Sequence, residues 1–166
     1  MTTHHTPQAR SDSQPSAASA RGDDQRPITR VILIALALFG LIPGAWAAVA
    51  PESFYYDFPK IRSAWVSSDG PFNEHLIRDV GAFFLALGIL ALIAAISGRL
   101  LAARLAGAAW LVFGMVHAAY HFTHLHVYTE SVDQWLNVVS MLGSIGLALA
   151  VLVIPGRSAH RMEQSS

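Results

Sequence analysis

Residues 80–97 read VGAFFLALGILALIAAIS, a run of eighteen without a charged side chain. A hydrocarbon core about 30 Å thick requires roughly 20 apolar residues in a helix. Runs of the same character lie at residues 31–50, 105–122 and 135–154. Because only helices satisfy their own backbone groups within a single crossing of a bilayer, the chain is predicted to be all-α, an integral membrane four-helix bundle.

The composition supports this interpretation and excludes several kinds of site. Of the 166 residues, 53% are hydrophobic and 13% charged, whereas soluble domains carry about 25% charged residues. The formal net charge is zero, so no nucleic-acid partner is expected. The expected partners are the lipid bilayer and either a membrane partner subunit or a second copy of the chain. Without cysteine, the chain cannot form disulfides or thiolate-bound metal sites.

Turn and capping signals predict where the elements begin and end. Residues 1–26 are poor in large apolar side chains and are expected to form a disordered tail. Pro71 is predicted at the first position of the second helix, and Ser131 with Gln134 is predicted to form a capping box at the start of the fourth. The expected domain spans residues 27–156, with helices at about 29–50, 71–97, 101–124 and 132–154, an outer loop at 51–70 and a second tail at 157–166.

The first hydrophobic run also resembles a cleavable signal peptide. Arg30 precedes a short apolar stretch, which is followed by Pro43-Gly44 and by AWA at residues 45–47. This order is typical of a secretory signal with a small-x-small cleavage site. The leader is unusually long, however, and apolar residues continue to Ala50. We therefore favour a retained helix, kinked at Pro43, with cleavage as the alternative.

The positions of lysine and arginine predict the orientation. The first and third connections hold few cations, Lys60, Arg62 and Arg78, and several acids. Both termini are therefore expected in the cytoplasm, with the protein in a bacterial inner membrane and the loop at 51–70 outside. The arginines expected on the cytoplasmic side are Arg26, Arg30, Arg99, Arg104, Arg157 and Arg161.

Four of the eight histidines lie in HAAYHFTHLH, residues 117–126. At 100° per residue, His117, His121 and His124 fall on one narrow stripe of the third helix, whereas His126 points away. His117 is expected in the outer half of the hydrocarbon core. Because an ionisable group facing lipid is costly there, it should face the interior of the bundle.

Polar residues of two other helices are expected at the same level. Glu74 with Arg78, and His75 with Asp79, are each four residues apart and can pair along the second helix. Small residues at the same spacing predict close packing between helices, as in Ala82 with Ala86 and Gly114 with Ala118. The residues expected to line an outer-leaflet ligand pocket are Arg78, Asp79, His117, His121, Asn137 and Ser140.

Four roles are compatible with this polar layer. It is a hydrogen-bonded network that fixes helix packing, a divalent-metal site, a haem site between histidines of two helices, or a site of proton-linked binding or transport. The residues expected to bind a metal are His117, His121, His124, Glu74 and His75.

Three stretches carry a resemblance to a known group: GAWAAVAPESFYYDFP at 44–59, NEHLIRDVGA at 73–82 and LVFGMVHAAYHFTHLH at 111–126. Over residues 31–154 the chain resembles small bacterial membrane proteins of the broad DoxX-like group. Some members are linked to quinone-coupled oxidoreductase systems, so the resemblance implies a quinone as a candidate cofactor.

No complete catalytic constellation is present, which favours a non-enzymatic protein over an enzyme. The predicted function is a membrane module that binds a small ligand, a lipid or a partner subunit at the polar pocket. The alternative is a metal- or quinone-dependent redox component of the membrane.

Overall fold

The computed structural model describes residues 24–62 and 64–157. Within this part of the chain there are helices and no β-strand. The four long helices pack as a bundle, and each is long and apolar enough to cross a membrane, which confirms the predicted all-α four-helix fold. The elements are α1 (Pro27–Val49), α2 (Pro51–Asp57), α3 (Glu74–Ser97), α4 (Leu100–Thr123), a 3-10 turn (Leu125–Val127) and α5 (Ser131–Val153).

The bundle has two ends with different contents. The loop end carries α2 and the connections at residues 50–73 and 124–130. The terminal end carries residues 24–26, residues 154–157 and the tight connection between α3 and α4, where Gly98 adopts a left-handed φ of 70° that suits glycine.

Residues next to the first helix depart from the predicted tail. The stretches at 1–23 and 158–166 lie outside the described residues, but Gln25 is buried against the end of α3. Its amide Nε2 donates to the carbonyl oxygens of Ala94, at 2.9 Å, and Ala95, at 3.3 Å. These carbonyls belong to the last turn of a helix, which lacks partners of its own. The packed part of the chain therefore includes residues 24–26, which precede the predicted boundary at 27.

Helices α1 and α3 form the most extensive contact of the bundle. Glycines allow the close approach of their backbones: a Cβ added to Gly40 would lie 2.7 Å from the Phe84 carbonyl oxygen. At the other end of the crossing, a Cβ on Gly81 would lie 2.8 Å from the backbone nitrogen of Ala48. Helix α1 continues through Pro43, which lies within this glycine-lined segment.

A second close pair is formed by α4 and α5. Gly114 and Ala118 are buried on α4, as their spacing predicted, and a Cβ on Gly114 would lie 3.2 Å from Ile145. Trp110 joins the two helix pairs at the centre of the core. Its side chain is almost fully buried, and its Nε1 donates to the Leu87 carbonyl of α3 at 3.2 Å.

One predicted helix start and one predicted capping motif are wrong. Helix α3 begins at Glu74 rather than at Pro71, because Asn73 is the N-cap and its side chain accepts the Leu76 N–H at 3.1 Å. Helix α5 begins at Ser131, but no capping box forms there. The Gln134 side chain instead donates to the Tyr128 carbonyl at 2.9 Å.

Candidate functional site

The histidine stripe on α4 is shorter than predicted. The rings of His117 and His121 meet edge to face, with centroids 4.6 Å apart. His124 follows the last residue of α4 and stacks on Tyr120, with ring centroids 4.1 Å apart and its Nδ1 2.8 Å from the Tyr120 carbonyl oxygen. Because the helix ends before His124, the stripe consists of two residues, called the histidine pair below.

Aromatic rings from two helices surround His117. It stacks on Phe113 of α4, with centroids 5.2 Å apart, and meets the ring of Phe84 of α3 edge-on at 6.1 Å. Among the described residues, His121 and His124 each form hydrogen bonds through a ring nitrogen, whereas His117 forms none. His117 is half-buried and lies six residues, about 9 Å, before the end of α4. It has an apolar wall, and its imidazole nitrogens form no hydrogen bond with the described residues.

A hydrogen-bonded chain joins His121 to α5 through Tyr128. The Tyr128 hydroxyl lies 3.4 Å from His121 Nδ1 and accepts from Asn137 Nδ2 at 3.2 Å. Tyr128 and Asn137 are 4% and 2% exposed, and the Asn137 Oδ1 is buried without a partner among the described residues. Since the hydroxyl accepts from Asn137, its proton is available to the Nδ1 of a neutral His121.

The connection before α3 is fastened over this chain by three residues, Arg62, Trp65 and Asp133, called the loop clasp. The Asp133 carboxylate accepts from Arg62 Nε and, at 3.1 Å, from its Nη2, and also from Trp65 Nε1 at 3.0 Å. The hydrogen bond with Asp133 raises the pKa of Arg62 above its ordinary value. The Trp65 ring packs on Tyr128 with centroids 5.9 Å apart. The clasp therefore connects the loop to the hydrogen-bonded chain beneath it.

Arg78 and Asp79 do not join the histidine pair. Both ion pairs predicted from four-residue spacing are present: Arg78 Nε donates to Glu74 at 2.9 Å, and His75 Nε2 lies 3.5 Å from Asp79. Both pairs are exposed to the surroundings of the bundle, and Arg78 also donates to the Ala48 carbonyl. The single predicted pocket is thus divided into two separate regions.

The second region is a surface cavity of about 440 Å³ at the corner between α1 and α2. We call it the Arg78 cavity. It is lined by Ala50, Pro51, Glu52, Ser53, Phe72, Glu74 and Arg78.

The five residues expected to bind a metal are not assembled. In residues 24–62 and 64–157, no group of three histidine, aspartate or glutamate side chains is placed to hold a metal ion. Glu74 and His75 lie at the start of α3 and pair with neighbours on that helix, while His124 is turned toward Tyr120. Ser140 donates to the Asn137 carbonyl at 2.8 Å, a bond within α5 that adds nothing to the histidine pair.

No known protein family, curated protein or solved structure matches the chain. The DoxX-like resemblance stays a prediction, and the geometry of the loop end is the basis for a functional proposal.

Tyr128 provides a pH-dependent test of the buried hydrogen-bonded chain. Burial, assisted by the nearby Asp69 carboxylate, raises the pKa of Tyr128 from 10 to about 12. Between pH 10 and 12 the tyrosine hydroxyl ionises in the unfolded chain but stays protonated in the folded protein. The contribution of the protonated hydroxyl to stability is therefore complete below pH 10 and is lost as the pH rises toward 12. We expect the detergent-solubilised protein to lose unfolding free energy over that interval, measured by denaturant titration at several pH values.

The matched variant for that test is Tyr128→Phe. It should be less stable than the wild type at neutral pH by about 1 kcal/mol, because Asn137 and His121 lose their shared partner. It should also show a weaker dependence on pH above 10. Identical pH profiles for the two proteins would contradict the assigned role of Tyr128.

Proposed function

We propose that the chain is a multi-pass protein of a bacterial inner membrane, with both termini in the cytoplasm and the loop end outside. The support is the length and apolar character of the four long helices. The arginines of the terminal end, including Arg30, Arg99 and Arg104, are consistent with a cytoplasmic location of that end.

Within this placement, we propose that the histidine pair binds a small amphiphilic ligand or lipid from the outer leaflet, without catalysing a reaction. The observation that carries the proposal is His117, an imidazole with no hydrogen-bond partner in the described protein. A polar group left unpaired in an apolar environment costs several kcal/mol, and polar groups at this depth usually have partners and functions. A ligand headgroup supplies the missing partner, while Phe84 and Phe113 contact its apolar part.

A quinone belongs to this ligand class, because its carbonyl oxygens can accept an imidazole N–H and its ring can contact the aromatic wall. A metal-dependent redox reaction has less support. The two imidazoles of the histidine pair are fewer than the three protein ligands common in catalytic metal sites.

The proposal is tested by identifying what the purified protein retains. Protein extracted from membranes in a mild detergent is expected to carry one amphiphile, detectable by mass spectrometry of an organic extract. The variant His117→Leu/His121→Leu should lose it, because both polar contacts are removed.

The control is His126→Leu, which changes an exposed histidine of the same segment outside the pair. It should retain the amphiphile. If all three proteins give the same extract, the histidine pair is not the binding site. A stoichiometric metal that is present in the wild type and absent from the double variant would instead favour the redox alternative.

A further inference from the structure

The Arg78 cavity lies where two long helices end at the loop end. One side of the cavity is formed by residues 50–53, which come directly after the end of α1 at Val49. The other side is formed by residues at the beginning of α3. Val49 is 80% exposed, and Leu76 of α3 is also exposed. Exposed apolar side chains therefore lie next in sequence to the residues that line the polar cavity. With the membrane placement proposed above, this is the level of the lipid headgroups.

One cation is held in place in the cavity wall. Arg78 Nε donates to Glu74, and its Nη1 donates to the Ala48 carbonyl. A guanidinium has five N–H donors in a fixed plane, so donors remain after these two bonds. An arginine that is already oriented loses less side-chain freedom when it binds a phosphate.

Carboxylates supply the opposite charge in the same cavity. Glu74 lies beside Arg78, whereas no ion pair or side-chain hydrogen bond of the described residues includes Glu52. With Arg78, Glu52 and Glu74 ionised, the lining has one positive and two negative charges. Charges of both signs fit a ligand that also carries both.

The type of cation distinguishes possible headgroups. A primary ammonium has three N–H donors and forms charge-assisted hydrogen bonds with carboxylates. A quaternary ammonium has no N–H and depends on aromatic faces, of which this cavity has one, Phe72. A headgroup without a cation leaves Glu52 unpaired and brings a second negative charge near it.

We propose that the Arg78 cavity binds a zwitterionic headgroup composed of a phosphate and a primary ammonium, presented by an ethanolamine phospholipid. Arg78 contacts the phosphate, and Glu52 contacts the ammonium. The site depends on the proposed membrane placement but is separate from the histidine pair.

The experiment compares three phospholipids with identical acyl chains and ethanolamine, choline or glycerol headgroups. Each is titrated into the full-length protein in detergent, and bound lipid is counted by native mass spectrometry. We expect the ethanolamine lipid to bind about tenfold more tightly than the other two, the effect of one charge-assisted hydrogen bond.

Two variants separate the roles of the cavity residues. Glu52→Gln, which removes no contact made by the described protein, should abolish the preference for ethanolamine by weakening that lipid. The choline lipid should be unaffected, and the glycerol lipid should bind at least as tightly as to the wild type, because a like charge has been removed. Arg78→Gln should weaken all three, because every headgroup contains a phosphate. The controls Glu130→Gln and Arg104→Gln make the same changes at exposed positions outside the cavity and should behave as the wild type.

Equal affinity of the wild type for the three lipids would overturn the proposal, as would an unchanged ethanolamine preference in Glu52→Gln. Competition by soluble phosphoethanolamine at the affinity of the lipid would identify the free solute, rather than the phospholipid, as the ligand. The variant His117→Leu/His121→Leu should keep the ethanolamine preference, so failure of the histidine site and failure of this site give different results.

Discussion

Replacement of Gly40 by alanine is expected to lower the free energy of unfolding by about 1–3 kcal/mol, the usual cost of overpacking. The new Cβ would lie 2.7 Å from the Phe84 carbonyl oxygen and 3.0 Å from the Cα of Gly88. These are backbone atoms, which cannot rotate away, so α1 and α3 must separate. The loss should appear even though alanine favours a helix over glycine by about 1 kcal/mol. Adding Gly81→Ala at the other end of the crossing should increase it.

The matched control is Gly146→Ala on α5. A Cβ added to Gly146 meets no atom of another helix within 4 Å, so the same chemical change should leave stability unchanged or raise it slightly. Unfolding is measured by titrating mixed micelles with a denaturing detergent and following the helical circular dichroism signal. Equal destabilisation by Gly40→Ala and Gly146→Ala would show that close contact between α1 and α3 is not what limits stability.

Hydrophobic runs were sufficient to predict the four long helices but not which faces meet. Ala82 and Ala86 were expected at a helix contact, yet both are exposed, while Gly81 and Gly88 of the same helix face α1. A helix that is apolar on all sides has no hydrophobic period to mark its buried face. The buried Gln25 was missed for a related reason, because a polar stretch gives no local sign that it caps the end of another helix.

For the site, predictions from local helical spacing succeeded and those that needed tertiary contacts did not. The spacing correctly placed His117 beside His121 and Glu74 beside Arg78. It failed for His124, because the helix ends before that residue. The prediction that Arg78 lies in the same pocket as the histidines was also wrong, because the Arg78 side chain points toward Glu74 and the end of α1.

The loop clasp was not predicted at all. Arg62 and Trp65 are separated from Asp133 by 71 and 68 residues, and no periodic pattern relates such distant positions. One signal was available: Asp133 is the single charged residue of its helix and lies in the first turn. That position favours negative charge but gives no indication of its partners.

Replacement of Asp133 by asparagine is expected to release the loop from α5. The amide keeps one acceptor oxygen but presents N–H donors in place of the other, so it cannot accept from Arg62 and Trp65 as both carboxylate oxygens now do, and it lacks the negative charge that pairs with Arg62. Arg62 is partly exposed, so solvent moderates the loss. Opening of the loop should still become about tenfold more frequent, and trypsin should cleave after Lys60 and Arg62 about tenfold faster when cleavage follows the population of the open form. The fragments are identified by mass after brief digestion in detergent.

Glu130→Gln is the control for this experiment, because it neutralises a neighbouring acid whose side chain forms none of the ion pairs among the described residues. It should be cleaved at the wild-type rate. The double variant Arg62→Gln/Asp133→Asn then tests whether the two residues act together. If they do, it should be cleaved after Lys60 no faster than Asp133→Asn, since the interaction is already lost in the single variant. Unchanged cleavage of Asp133→Asn would mean that the loop is held by its aromatic packing on Tyr128, and that the clasp does not control access to the hydrogen-bonded chain beneath it.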